Sequence, residues 1–292
     1  VFNLKGESYQ SGAFDIGPEF PLTLAETYSD SDLKNQLIGT VNGLQPGMEK
    51  FINASIAIYT GKLAKKPNQS SASAVLLYGP AIVSLVCNRS GSTYAQGAMT
   101  KWYTHGSITA DAAPVPATNK NTLTDTGEFI ANEEVGNFVH ILDAVAGGGV
   151  APEGESRLIV KNTANILTVQ PAFSAVVNIN STATIFSASQ TILSASGDDR
   201  TATSGIVLAP DGIPDNYWGW VCRRGRVGAL VKATTAIVAG KSLIADTGRL
   251  TLSSTSVYGL SMAQAITACS NDIVSDMIVA YFDAWSPQSI TT

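Results

Sequence analysis

From Tyr217 to Phe282 the chain alternates short apolar runs with glycine turns, and that spacing admits sheets and little else. It reads Tyr217-Trp-Gly-Trp-Val-Cys222, Gly225-Arg-Val-Gly-Ala-Leu-Val231, Gly240 through Leu252, Tyr258-Gly-Leu-Ser-Met-Ala263 and Asp276-Met-Ile-Val-Ala-Tyr-Phe282. Each run is strand length, and each break holds a turn residue. A meander of this kind builds a surface. It contains almost no group that could act as an acid, a base or a nucleophile.

The rest of the chain extends the pattern. Ser156-Arg-Leu-Ile-Val-Lys161, Leu167-Thr-Val-Gln170 and the stretch from Phe173 to Phe186 read as further strands, and Ala74 to Cys87 and Asn162 to Gly197 read as buried sheet. Phe51 to Leu63 alternates, with Ile52, Ala54, Ile56 and Ile58 on one face. The Pro- and Gly-rich start, residues 1–30, is expected to be an extended N-terminal arm. Ser29-Asp-Ser-Asp32 offers helix caps for a two-turn helix ending at Gly39, and a second helix could run from Thr126 to Phe138, weakened by Gly127 and Gly136. Gly106 to Thr126 reads as an exposed loop or linker. Gly147-Gly-Gly-Val-Ala-Pro152 is the clearest break, so an N-terminal β-rich domain is expected over 31–146 and a second over 153–292. The fold class is therefore all-β with minor helix, in β-sandwich or β-barrel-like domains.

A chain of 292 residues can bury a substantial core. Its charged fraction is only 14%, against about 25% in typical globular proteins. Neutral polar residues fill the difference, as on the outer faces of sheets. A net charge of −5 argues against a nucleic-acid partner, because phosphate binding needs clustered cations. The densest basic group, Arg223-Arg224-Gly225-Arg226, reads as a solvated hairpin or a salt-bridged site facing a partner. No apolar stretch is long and unbroken enough to span a bilayer, so no membrane association is expected. Cys87, Cys222 and Cys269 lack the spacing of a zinc site or a disulfide framework, and their odd number favours a reducing compartment. The start Val1-Phe-Asn3 carries no signal-like segment, so export is not expected.

Candidate chemistry is sparse. His105 and His140 lack a second ligand at strand or helix spacing and read as structural residues. The acidic groups Glu133-Glu134, Glu153-x-Glu155 and Asp198-Asp199 could in principle serve a glycosidase, but adjacent loop carboxylates are ordinarily solvated. Gly147-Gly-Gly149 is not followed by a helix bearing lysine, so it is no phosphate cradle. The expectation is a non-enzymatic protein with no cofactor and no metal. Trp218 and Trp220 share one strand face and form either a sugar-stacking platform, with Trp102, or a core or intersubunit pair. Core or interface burial is favoured because aromatic residues dominate both.

Ser156 to Asn165, Tyr217 to Val221, Gly225 to Val231, Gly240 to Leu252 and Tyr258 to Ala263 together resemble tailed-bacteriophage capsid decoration, or cement, proteins. In that family an aromatic strand precedes a glycine-centred strand, a hairpin and a closing apolar strand. The resemblance covers roughly residues 153–283. It implies a virion structural protein made in the host cytoplasm and assembled on the capsid exterior, where it bridges copies of the major capsid protein. It also implies a homo-oligomer, with a trimer favoured. Trp218, Trp220, Trp102, Arg223, Arg224 and Arg226 are the candidate interface or glycan-stacking residues. A head fibre or adhesin binding a host-surface glycan or receptor is the alternative.

Overall fold

The computed structural model describes residues 27–29, 47, 49–52, 77–144, 150–198, 202–233, 236–253, 262–269 and 273–284. Among these residues there are fourteen strands and no helix, so the protein is all-β. Two compact units are present, Val1–Trp102 with Ser189–Thr292, and Tyr103–Ala188.

The spine of the first unit is one long strand, Trp218–Ala233, with irregularities after Cys222 and Gly225. Numbered in chain order it is β10. Along one edge it pairs antiparallel with β2 (Leu77–Asn88) and then parallel with β12 (Arg249–Leu252) at Val231. Along the other it meets β9 (Thr203–Val207) and then β14 (Ile273–Asp283). From β14 the ladder continues through β13 (Ala263–Ala265) and β11 (Ser242–Asp246) to β12, which returns to β10. Five strands thus close on themselves and leave no open edge within the ring.

The interior of this ring explains its residue choice. Val227, Ala229, Val231, Leu243, Ala245, Leu250, Ala263, Ala265, Ile278, Ala280 and Phe282 are all buried in one core. A ring of so few strands is narrow, and the alanines on β10, β11, β13 and β14 let one large ring, Phe282, fit inside. Outside the ring, β1 (Glu49–Ile52) extends the sheet beyond β2 with Ile52 opposite Ala81.

The second unit closes in a similar way. Its strands are the later part of β3 (Met99–Thr109), β4 (Thr122–Thr124), β5 (Phe138–Asp143), β6 (Ser156–Asn162), β7 (Ile166–Gln170) and the earlier part of β8 (Thr182–Leu193). The antiparallel order is β8, β5, β6, β7, β4. Just beyond β3, Ala110 donates to the Ser181 carbonyl at 2.9 Å and Ala112 bridges Thr124, which joins the two ends. Val139, Ile141, Ile159, Leu167, Val169 and Ile185 point inward at every second position.

Several expectations change here. The two units are not consecutive along the chain, since residues 103–188 interrupt the first. β5 and β6, which flank the break at Gly147–Pro152, pair with each other within one unit, so the expected domain boundary there is not found. Phe138 opens a strand, and the proposed helix over Thr126–Phe138 is a series of turns, because Gly127, Asn132 and Gly136 all take positive φ. Gly106–Thr109 and Thr122–Thr124 are strand and not linker. Of the N-terminal arm only residues 27–29 are described, and Tyr28 is buried against Trp218. The short helix ending at Gly39 and the strand beyond Ile52 lie outside the described residues.

Candidate functional site

Strand register brings an outward-facing group of side chains together on the first unit. Phe51 of β1 lies opposite Ile82 of β2, and Ile82 lies opposite Arg224 of β10. Two residues along, Arg226 lies opposite Tyr281 of β14. The intervening row, Ile52, Ala81, Gly225 and Phe282, faces the core. Alternation therefore lifts Phe51, Arg224, Arg226 and Tyr281 onto one open face, and Tyr78 stands out from β2 on the same side.

Phe51, Arg224, Arg226 and Tyr281 line a groove of about 440 Å³ floored by Pro80, Ala81, Ile82 and Gly225. Gly225 makes the floor. It has φ 135°, and a Cβ there would lie 2.7 Å from the Pro80 oxygen and 2.9 Å from the Ala81 Cα. Only glycine lets β2 and β10 approach so closely. At the wall, the Arg224 Nε lies 3.4 Å from Asp283 Oδ2 and donates to the Tyr281 hydroxyl at 3.4 Å. Arg226 is exposed and forms no ion pair among the described residues. The groove holds no nucleophile beside a base. What it offers is guanidinium charge next to aromatic and aliphatic surface, the residue types that anchor protein interfaces.

The other candidates part ways. Arg223 turns from the groove, with its guanidinium 5.0 Å over the ring of Trp102 and Nη1 3.3 Å from Glu49 Oε1. Trp218 and Trp220 are core residues, 7% and 0% exposed, so neither presents an open ring face to a sugar. Trp102 is partly buried and carries Arg223 on its ring. Phe51, Tyr78 and Tyr281 were missed by the sequence reading. The pairing of β1 with β2 and of β10 with β14 brings them to the arginines, and their alternation with buried neighbours was the one local signal.

The second unit contains a charged cluster that carries structural weight. His105 Nε2 lies 2.9 Å from Glu128 Oε1, and Nδ1 lies 3.3 Å from Glu134 Oε1 and 3.2 Å from the Tyr103 hydroxyl. Glu134 is buried, and its other oxygen accepts from Asn137 Nδ2 at 2.7 Å. The hydrogen bond to Glu134, opposed by burial and aided by Glu128, raises the His105 pKa to about 9. An imidazolium held this way is a cross-link between strand and turn, and a poor base. The solvated role expected for Glu134 is thus corrected: the turn over 131–136 folds it inward. His140 projects between inward-facing Val139 and Ile141 and bonds the Ser156 hydroxyl at 2.9 Å.

Among the remaining acidic groups, Glu155 pairs with Arg157 and Ser174, and Asp198 with Lys101 at 3.2 Å. Asp199 lies outside the described residues. No group of three or more His, Cys, Asp or Glu side chains among the described residues could hold a metal ion. Cys87 and Cys222 are buried free thiols, and burial pushes the Cys222 thiol up to about 12. No protein-family model matches the sequence, and no curated protein or solved structure matches it either.

Proposed function

We propose that the protein is a non-enzymatic structural protein of a virion, one that decorates or cements a tailed-bacteriophage capsid by bridging neighbouring copies of the major capsid protein. The observation that carries this reading is the open face of β1, β2, β10 and β14, where Phe51, Arg224, Arg226 and Tyr281 line a groove floored in part by Gly225, and Tyr78 stands exposed on the same side. Aromatic and arginine side chains are the types that most often anchor interfaces, because they combine large contact area with directional hydrogen bonding. The resemblance of residues 153–283 to decoration proteins supports the same reading; its segment Ser156–Asn165 falls in the second unit and its segments from Tyr217 onward in the first.

A decoration protein works by number. Each junction that buries about 1,600 Å² is an ordinary interface, and many copies held on one shell add avidity. A trimer would place three such faces around a local symmetry axis of the shell. The test is co-sedimentation with purified heads, together with mass spectrometry of virions. The protein should pellet with heads and raise their resistance to heat and low salt. Absence from virions, or heads equally stable without it, would overturn the reading.

A further inference from the structure

We infer that the groove between Phe51 and Tyr281 receives a carboxylate side chain, carried beside an aromatic or aliphatic residue on an acidic segment of the partner protein, with Arg226 as the residue that takes the charge. This deepens the docking role proposed above and rests on it.

The argument is one of charge and lining. The chain is acidic overall, at −5, and its densest cationic cluster is Arg223-Arg224-Gly225-Arg226. The three arginines of that cluster differ in what they can still bind. Arg223 is engaged by Glu49 and Trp102. Arg224 already leans on the buried Asp283 carboxylate and on Tyr281. Arg226 is exposed, without an ion pair among the described residues, and its Cδ passes 3.9 Å from the position a Gly79 Cβ would occupy. The groove therefore presents one guanidinium without an ion pair among the described residues and one already paired with Asp283.

A single carboxylate matches that charge, because the planar fork of Arg226 can bind it with two parallel hydrogen bonds. A dianionic phosphate would need Arg224 as well, and so would have to compete with Asp283. The rest of the lining selects the body of the ligand. Phe51, Pro80, Ala81, Ile82 and Gly225 are apolar, and the volume of about 440 Å³ lies within the range of small-molecule clefts, room for a carboxylate and an adjoining apolar group. A carboxylate with an apolar neighbour satisfies both halves of the site.

Hydrocinnamate, which joins a phenyl ring to a carboxylate, is the probe, with hydrocinnamamide and phenyl phosphate as comparators, titrated into the isotope-labelled full chain by NMR. Hydrocinnamate should saturably shift the Phe51 and Tyr281 ring signals and the Arg226 Nε signal. The amide should bind about tenfold more weakly or worse, since it lacks the charge. Arg226→Gln should lose binding by a similar factor with an otherwise unchanged spectrum, while Lys241→Gln should bind as the parent does. Equal binding of acid and amide, tighter binding of phenyl phosphate, or undiminished binding by Arg226→Gln would each overturn the inference. Co-sedimentation separates the two levels. If Arg226→Gln loses hydrocinnamate but still pellets fully with heads, the groove is not the docking site and decoration stands. Absence of the parent protein from virions removes decoration, and the carboxylate site is then judged on the titration alone.

Discussion

Glu134 and His105 form the most buried ion pair among the described residues of the second unit, 3.3 Å between Oε1 and Nδ1, with the Glu134 side chain 2% exposed. Because the folded state raises the His105 pKa from the usual 6.5 to about 9, the proton stabilises the fold. That contribution is complete below pH 6.5 and is lost as pH rises through about 9. Thermal melts of the parent should therefore fall by several degrees between pH 7 and pH 10. His105→Gln should melt lower at pH 7 and show a flatter profile over that window. A parent profile that is level to pH 10 would refute the assignment.

Glu134→Leu leaves His105 without its buried partner and removes the hydrogen bond that Asn137 Nδ2 donates to Glu134. Removing one member of a buried pair costs about 3 kcal/mol or more. Urea denaturation should show that loss, with Glu128→Gln costing much less because Glu128 is 44% exposed.

Trp220 is fully buried, and the Lys50 ammonium sits 5.3 Å from its ring centre. Trp220→Ala should cost about 3–5 kcal/mol, in the range of large aromatic truncations. Trp220→Phe keeps most of the packed volume and should cost less than half of that. Circular dichroism during urea unfolding distinguishes the two. A Trp220→Ala protein of unchanged stability would place this residue outside the core.

Gly225→Ala tests the close approach of β2 and β10. The added methyl meets the Pro80 carbonyl at 2.7 Å, and the φ of 135° is one that residues with a Cβ rarely adopt. A destabilisation of roughly 2 kcal/mol or more is expected. Loss of hydrocinnamate binding should accompany it, since the same backbone forms the groove floor.

The three cysteines should react unequally with a thiol reagent. Cys87 and Cys222 are buried and Cys269 is partly exposed. Burial keeps Cys222 protonated, with its pKa near 12. At pH 8 the folded protein should therefore release about one equivalent rapidly and the remainder only in denaturant.

Alternation was legible residue by residue. Val139 and Ile141 flank His140 as expected, and Trp218 and Trp220 share a buried face because period-two patterning is a local property of the backbone. The glycine turns likewise marked the strands from 217 to 252. The helix over Thr126–Phe138 failed because positive φ at Gly127, Asn132 and Gly136 follows from how the turns pack, and sequence propensity records only a weak bias.

The chain by itself determined that this protein is all-β, with few reactive groups and a cluster of arginines, which lies inside the continuous strand β10 and not in the hairpin expected. Those properties depend on composition and on neighbours one or two positions apart. Tertiary structure alone decided which arginines face solvent, that Phe51 stands near Tyr281, and that Glu134 reaches His105 across 29 residues. It also decided that residues 103–188 form a unit of their own. Each of these depends on which strands pair and how two rings close, and register between distant segments is set by the summed burial of both faces, which no local pattern encodes.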